Sequence, residues 1–254
     1  MKIILKQFLK YYLKYITKLV LLIHRPLIIG VTGSINEIFT KEEIKRQLTE
    51  AGHEVRSNPK NFNTEIGLPL AILNLPSGYN SYKNWLPIIW QAFKSIFKLK
   101  LPKILILGLG VAGPGDMKYL MSLARPKIAI ITDITQRYIE SFSDMDELAG
   151  EYEHFIKSMN QNGYLILNHD NQRIKKLAKF KNDNTIFFGL KKSDRKNYWR
   201  GEAIEKTLNG QKVRVTHDDQ ATDYQINRFG QHHVYALLIG LIVKKIVITH
   251  KSTN

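Results

Sequence analysis

The sequence predicts an α/β domain of three layers, in which helices cover both faces of a mostly parallel central sheet. From Pro26 onward, short apolar runs alternate with segments of helical periodicity, and Gly-containing turns join one to the next. The chain has 254 residues, 44% of them hydrophobic, which is enough to bury one substantial core. We therefore expect one domain over residues 26–247, preceded by a separate segment (1–25) and followed by a tail (248–254).

The elements of this domain follow one another in order along the chain. Runs of apolar or β-branched residues predict strands at 27–32, 103–109, 127–132, 164–168, 185–189 and 212–216. Apolar residues that recur every three or four positions predict helices at 40–51, 116–124, 146–160 and 230–244. Repeated strand-helix order implies parallel pairing through crossover connections.

Residues 1–23 are apolar and basic, yet they predict neither a signal peptide nor a membrane span. Lysines recur every four residues, and the last apolar run, Leu19 to Ile23, is far shorter than the roughly 20 residues that cross a bilayer. No small-residue cleavage site follows, so we expect the segment to stay on the protein. With its lysines on one side and Phe8, Leu13 and Ile16 on the other, it predicts a basic amphipathic helix.

Charge and cysteine content narrow the function classes. The 38 Lys and Arg against 22 Asp and Glu give a formal charge of +16, which favours an anionic partner: nucleic acid, anionic lipid or a phosphorylated substrate. No base-reading motif is present, so nucleic acid is not expected. The lack of cysteine excludes disulfides, thiolate metal sites and a cysteine nucleophile, and is typical of a reducing compartment. We expect a cytoplasmic protein.

The loop after the first predicted strand reads Gly-Val-Thr-Gly-Ser-Ile-Asn-Glu-Ile-Phe-Thr-Lys over residues 30–41. A phosphate-binding loop presents backbone N–H groups, adds a lysine for the β and γ oxygens, and follows it with Ser or Thr for magnesium. Taken alone, the stretch is typical of an ordinary strand-to-helix turn. Four further segments accompany it: Asn63-Thr64-Glu65, Gly113-Pro114-Gly115-Asp116, Asn168-His169-Asp170 and Gly230-Gln231-His232-His233.

In this order and spacing, residues 25–245 resemble the central, ATP-binding domain of the Mur ligases, in particular the type that adds D-alanyl-D-alanine to the muramoyl tripeptide. The resemblance implies a P-loop-type fold and, in the family, an acyl-phosphate mechanism that uses ATP and Mg²⁺. It implies a nucleotide site formed by Thr32, Gly33, Ser34, Asn36, Thr40, Asn168 and His233. It also implies that Asn63, Thr64 and Glu65 lie near the muramoyl substrate.

The chain departs from the family pattern where phosphoryl chemistry needs charge. The family has Gly-Lys-Thr where this chain has Asn36-Glu37-Ile38. A metal-binding Glu, a metal-associated His and a carbamylated Lys align with Gly108, Tyr138 and Tyr152. Opposed unit charges about 4 Å apart are worth about 4 kcal/mol at an effective dielectric of 20, so reversing the charge at Glu37 should weaken nucleotide binding severely. We expect no catalytic residue, no metal site and no bound cofactor.

These observations predict a catalytically degenerate binding or scaffolding protein of peptidoglycan precursor synthesis, peripheral on the inner membrane face. Its expected partners are an anionic membrane surface and a second cell-wall synthesis protein. The expected attachment uses residues 1–23 and a second basic, aromatic segment (82–101) that carries Trp90, Phe93 and Phe97. Alternatively, both helices bury their aromatic faces as core. The alternative function is a divergent ATP-dependent ligase completed by a partner chain.

Three other patterns have a functional and a structural interpretation. Adjacent helical residues such as His232 and His233 point about 100° apart, which disfavours a shared metal. The group His217, Asp218, Asp219 and Asp223 suits Mg²⁺ but is more typical of a solvated turn. The lysines at 175, 176, 179 and 181 are typical of a solvated face.

Overall fold

The computed structural model describes residues 3–79, 81–137, 139–160 and 162–251. The helices are α1 (Ile3–His24), α2 (Glu37–Glu50), α3 (Gly67–Leu73), α4 (Tyr82–Lys98), α5 (Asp116–Leu123), α6 (Met145–Lys157), α7 (Gln172–Leu177) and α8 (Gln231–Lys251). The strands are β1 (Leu27–Thr32), β2 (Val55–Ser57), β3 (Ile104–Gly108), β4 (Ile128–Ile131), β5 (Tyr164–Asn168), β6 (Thr185–Gly189), β7 (Tyr198–Thr207), β8 (Gly210–His217) and β9 (Gln220–Ile226). Single 3-10 turns occupy Ile139–Ser141 and Ala178–Phe180.

The strands form one nine-stranded sheet in the order β2-β3-β1-β4-β5-β6-β7-β8-β9. The pairings from β2 to β7 are parallel, and β7-β8 and β8-β9 are antiparallel. β1 lies between β3 and β4, so the chain after β1 leaves the sheet where the strand order reverses. In open α/β sheets, ligands bind at such a switch point, beyond the carboxyl ends of the strands. The topology therefore places the phosphate-loop segment at the position where a ligand would bind.

Alternate residues of the central strands enter two separate cores, which confirms the predicted three-layer α/β fold. Ile29, Ile106 and Ile130 pack under α2 and α8. Leu107 and Leu167, on the opposite face, pack under α3, α5, α6 and α7. Parallel strands covered on both faces are expected to be almost continuously apolar, as these are.

A third core lies between α1, α3 and α4, and α1 also contacts α5. Leu9 and Leu13 of α1 meet Trp85 and Ile88 of α4, and all four side chains are buried. The Tyr12 hydroxyl donates a hydrogen bond to the Ile89 carbonyl at 2.9 Å. The N-terminal helix is thus packed on the domain, and one side of each helix is ordinary core.

Within the described residues, α8 is long and apolar enough over Gln231–Thr249 to cross a membrane, judged by length and composition alone. More than half of that stretch is buried. It packs against α2 and the sheet, so its apolar character is explained by the core. The helix also continues to Lys251, beyond the predicted end at residue 244 and the predicted domain boundary at 247.

Candidate functional site

The loop between β1 and α2 has two residues with positive φ, a conformation that few residue types adopt readily. Gly33 has φ 143°, and a Cβ there would lie 3.0 Å from the backbone N of Asp133. Asn36, which stands where the family has Gly, is left-handed with φ 67° and ψ 2°. Asn is the residue after Gly that most readily accepts this conformation. Asn36 therefore adopts, at the start of α2, a conformation that glycine also accepts readily.

Hydrogen bonds from the neighbouring strand ends hold the loop in place. The Ser34 N–H donates to the Asp133 carbonyl at 2.8 Å, and the Thr132 hydroxyl donates to the Ile35 carbonyl at 2.7 Å. The Ser34 hydroxyl accepts from the Thr135 N–H at 3.0 Å. The Thr32 hydroxyl is buried and donates to the Leu109 carbonyl. The hydroxyls predicted to contact nucleotide at positions 32 and 34 are thus engaged within the protein.

Beneath the loop, Glu37 and Lys41 form a mostly buried ion pair. Glu37 Oε1 lies 3.3 Å from Lys41 Nζ, and the two side chains are only 14% and 6% exposed. Lys41 Nζ also donates to the carbonyl and the side-chain oxygen of Asn58, at 3.1 and 3.0 Å. Burial raises the pKa of the Glu37 carboxyl, against the opposing effects of Lys41 and of a hydrogen bond with Asn63. Lys41 is therefore engaged by groups of the protein itself.

Gly108, at the end of β3, provides the space that the Glu37 carboxylate occupies. A Cβ at this position would overlap the Glu37 carboxylate and lie 2.9 Å from Lys41 Nζ. Asn58 links Lys41 to the end of β3, because the side-chain oxygen that accepts from Lys41 also accepts from the Gly108 N–H at 2.7 Å. The Glu37 carboxylate thus occupies the space that a side chain at residue 108 would need.

Tyr152, aligned with the family's carbamylated lysine, is buried in the core below the loop. Its hydroxyl lies 3.4 Å from the Ser34 hydroxyl, and burial raises the pKa of Tyr152 to about 12. The phenol is neutral near pH 7 and offers a hydroxyl where the family pattern has an anionic carbamate. Tyr138, the fourth departing position, lies outside the described residues.

A cleft of about 690 Å³ brings the loop together with the segment after β2. Its predicted residues are Gly33, Ser34, Asn36, Glu37, Ile38, Asn63 and Thr64. Glu65 does not line this cleft, because its carboxylate pairs with Lys6 of α1 at 2.9 Å. The hydrogen bond from Lys6 lowers the pKa of Glu65 in spite of the opposing effect of burial. Two of the three predicted substrate residues therefore face the loop, and the third holds the N-terminal helix.

The remaining predicted nucleotide residues lie apart from this cleft. Thr40 is buried in α2. The side chain of Asn168 is buried in the sheet, where it donates to the Thr132 carbonyl at 2.9 Å and accepts from the Asp170 N–H. His233 lines a neighbouring groove of about 260 Å³ between α2 and α8, and burial and the adjacent His232 lower its pKa.

The structure gives the alternative metal groups other roles. Among residues 3–79, 81–137, 139–160 and 162–251, no group of three or more His, Asp or Glu is arranged to hold a metal ion. The rings of His232 and His233 both contact Phe39, each at 4.8 Å between centroids. His217 stacks on Trp199 at 4.3 Å, and Asp223 pairs with Arg214 at 2.8 Å.

Several residues of the cleft were not predicted from the sequence. Lys60, Arg137 and the segment 110–112 line it, and Asn58 positions Lys41. The ion pair could have been predicted from the four-residue spacing of Glu37 and Lys41, because positions four apart are neighbours on a helix. Asn58 carried no comparable signal, since only the tertiary fold brings it to α2.

The sequence model of the Mur ligase middle domain family matches residues 30–244 of this chain. The chain belongs to the Mur ligase family. The UDP-N-acetylmuramoyl-tripeptide--D-alanyl-D-alanine ligase of Bacillus subtilis is 27% identical over 139 residues, which are 55% of this chain and 25% of that protein. The corresponding ligase of Mycobacterium leprae is 24% identical over 229 residues, which are 85% of this chain and 39% of that protein.

Solved Mur ligases share the fold. The MurF ligase of Thermotoga maritima in complex with ADP superposes with a TM-score of 0.73 at 20% identity, covering 94% of this chain and 49% of that one. MurF from Acinetobacter baumannii gives a TM-score of 0.71 at 16% identity, covering 95% and 46%. The chain thus spans about a quarter to a half of the length of these relatives. It is a Mur ligase middle domain related to peptidoglycan precursor ligases.

Proposed function

We propose that this Mur ligase domain is a catalytically degenerate binding or scaffolding protein of peptidoglycan precursor synthesis. The observation that carries the proposal is the buried Glu37–Lys41 pair beneath the phosphate loop. A site for nucleotide phosphates must offer unpaired cations, because an anion that enters it loses the solvation of water. Here Lys41, the lysine beneath the loop, is already paired with Glu37 and held by Asn58.

The side chains of the loop do not fit a magnesium nucleotide. Glu37 puts a carboxylate where the phosphate-binding lysine belongs, so it repels rather than attracts the β and γ oxygens. Ile38 has no oxygen to ligate a metal, and it is 37% exposed at the cleft. Gly108 offers no side-chain ligand at the end of β3. We therefore derive no catalytic step through ATP or Mg²⁺.

Calorimetric titration with Mg-ATP tests the proposal. We expect a dissociation constant weaker than about 1 mM, which corresponds to about 4.1 kcal/mol of binding free energy. Micromolar binding by the unmodified chain would overturn it.

A rescue experiment tests the structural reason. Glu37→Lys with Ile38→Thr returns the cation and the hydroxyl to a loop whose left-handed Asn36 is retained, so Mg-ATP binding should become measurable. Adding Gly108→Glu should strengthen binding further, because removing Glu37 vacates the space that the new side chain needs. Glu37→Gln with Ile38→Thr is the matched control: it removes the carboxylate without adding a cation, and Lys41 stays held by Asn58, so it should bind Mg-ATP more weakly than the lysine variant. No gain in either rescue variant would mean that the loop backbone does not bind phosphate.

The retained loop backbone favours a second candidate, a divergent ATP-dependent ligase completed by a partner chain. Gly33 and Asn36 keep the loop conformation, and Lys60 and Arg137 bring positive charge to the same cleft. In that case a complex isolated with its partner should bind Mg-ATP with micromolar affinity while the isolated chain does not. Failure of both samples to bind would favour the degenerate protein.

The proposed location is cytoplasmic, peripheral on the inner membrane face, with a second cell-wall synthesis protein as a further partner. The support is physical: a charge of +16, and exposed aromatic side chains on α1 and α4. Basic, aromatic helices of this kind bind at the interface of anionic membranes. The part of the surface that contacts lipid can be inferred separately.

A further inference from the structure

The outer face of α4 carries a continuous apolar stripe that the third core does not cover. Leu86, Trp90, Phe93 and Phe97 follow one another at helical spacing and are 71%, 57%, 43% and 76% exposed. Trp90 stacks on Phe93, with ring centroids 5.9 Å apart, and Phe93 meets Phe97 edge-on at 5.8 Å. The rings therefore form one aromatic surface rather than isolated exposed residues.

α1 presents a second stripe, formed by Ile4, Phe8, Tyr11, Tyr15 and Leu22, which are all more than half exposed. The two stripes are connected at the helix contact. Phe8 stacks on Tyr12, with ring centroids 5.7 Å apart, and the Tyr12 hydroxyl donates a hydrogen bond to the carbonyl of Ile89, the residue before Trp90. Contiguous exposed apolar surface of this extent marks an interaction site in most soluble proteins.

The lysine row of α1 lies on a different side from its apolar stripe. Lys10 and Lys14 sit over the ring of Tyr119 in α5, with Nζ 4.4 and 4.8 Å from its centroid. Lys6 pairs with Glu65. Burial and the neighbouring lysines lower the pKa of Lys14. Three lysines of α1 therefore contact the domain itself, so the lysines of α4 are better placed to contact lipid phosphates.

On α4 the charge is differently arranged. Lys83, Lys94 and Lys98 are exposed and lie beside the aromatic stripe, and Lys94 Nζ is 5.1 Å from the centre of the Trp90 ring. Lysine side chains in this position can extend their ammonium groups to phosphate while the rings enter the apolar boundary. The positive edge and the apolar stripe together complement an anionic lipid interface, whereas a protein partner would have to supply both an apolar groove and an acidic rim.

We propose that the outer face of α4, extended by the exposed stripe of α1, is the surface on which this domain docks on an anionic lipid bilayer. The inference rests on the proposed membrane location and adds the surface and its orientation. Trp90, Phe93 and Phe97 enter the headgroup-acyl boundary, and Lys83, Lys94 and Lys98 contact lipid phosphates. The phosphate-loop cleft, which lies at the carboxyl ends of the strands, takes no part in docking.

Co-sedimentation with vesicles tests the surface. The full chain should bind vesicles of phosphatidylglycerol and phosphatidylcholine but not pure phosphatidylcholine, and salt should weaken binding. The triple variant Trp90→Ser, Phe93→Ser, Phe97→Ser should lose about 1,000-fold in partitioning, since each of the three inserted rings contributes about tenfold. Lys83→Glu, Lys94→Glu, Lys98→Glu should also weaken binding to anionic vesicles. All six positions are exposed, so the variants should fold, and circular dichroism checks this.

The matched control removes three exposed apolar side chains elsewhere: Ile204→Ser, Leu208→Ser, Phe229→Ser. This variant should bind as the unmodified chain does. In a Trp199→Phe background, Trp90 and the buried Trp85 remain, so anionic vesicles should shift the emission to the blue, and adding Trp90→Phe should abolish the shift.

The outcomes distinguish a wrong docking surface from a wrong membrane location. If the unmodified chain binds and the aromatic triple variant binds equally well, the docking surface is wrong while the membrane location stands. If the unmodified chain does not bind anionic vesicles, both fail. If the aromatic variant instead abolishes a concentration-dependent dimer and vesicles are not bound, the occupant of the stripe is a second copy and the lipid proposal is overturned.

Discussion

In the phosphate-loop cleft the buried cation and anion, Lys41 and Glu37, bind each other, whereas along α4 the lysines and aromatic rings face solvent. A charge that is paired inside the protein is not available to an external ligand, and breaking the pair costs more than a new contact returns. A solvated lysine beside an exposed ring has no such cost. The two regions therefore differ in what they offer to a ligand: the Glu37–Lys41 pair is satisfied within the protein, whereas the lysines and rings of α4 are open to contact.

The largest effect should come from a matched pair of substitutions within α4. Trp85 is 3% exposed, packs against Gly78, and donates its indole N–H to the Tyr79 carbonyl at 3.0 Å. Trp85→Ala should cost about 4 kcal/mol of unfolding free energy, the usual cost of removing a buried aromatic ring. Trp90→Ala should stay within about 0.5 kcal/mol, because its ring is exposed. Urea unfolding measures both, and equal losses would show that the stripe is core.

Removing the buried cation should have the next largest effect. Lys41→Met leaves the Glu37 carboxylate buried without a counter-charge, which should cost about 3 kcal/mol. The control is Lys41→Met combined with Glu37→Gln, which removes both charges and should recover most of the loss. A single variant as stable as the unmodified chain would show that the pair does not hold the loop region together.

A glycine substitution should have a somewhat smaller effect at the same site. Gly108→Ala places a methyl group against the Glu37 carboxylate and should cost about 2 kcal/mol, as overpacking does in other interiors. In a Glu37→Ala background the space is free, so the same substitution should cost little. Additive losses in this double-mutant cycle would contradict the idea that residues 37 and 108 share one volume.

The contrast between these two regions also shows what sequence could predict. β1, β5 and β6 begin and end at the predicted residues, because each is an apolar run with a sharp polar boundary. β2 was missed because it has three residues, and β7 and β9 because they are polar and largely exposed. Such strands are specified by ladder hydrogen bonds to neighbours, which leave no periodicity in the sequence.

Only part of the cleft was predictable in its residues, and its contacts were not. The family resemblance identified Glu37, Gly108 and Tyr152 as departures, and the structure adds that the first occupies the space left by the second. Residues 1–23 were expected to form a basic helix that attaches to lipid, but helical spacing gives only the common side of its lysines and not what covers that side. Tyr119 covers two of them from α5, more than 100 residues away in sequence, which no local pattern could indicate.

The smallest predicted effect is a loss of stability in mild acid that originates at neither region. His169 follows β5, and its Nε2 accepts a hydrogen bond from Arg195 Nε at 2.7 Å. Burial, together with Lys175 and Arg195, lowers the pKa of His169 below its ordinary value of 6.5. As pH falls through 6.5, the unfolded chain binds this proton before the folded chain does, so the free energy of unfolding decreases. Urea unfolding at about pH 7.5 and 5.5 should show the decrease, and His169→Gln should make it smaller. The aromatic triple variant on α4 keeps this histidine and should retain the full decrease. A pH dependence unchanged by His169→Gln would place the responsible proton elsewhere.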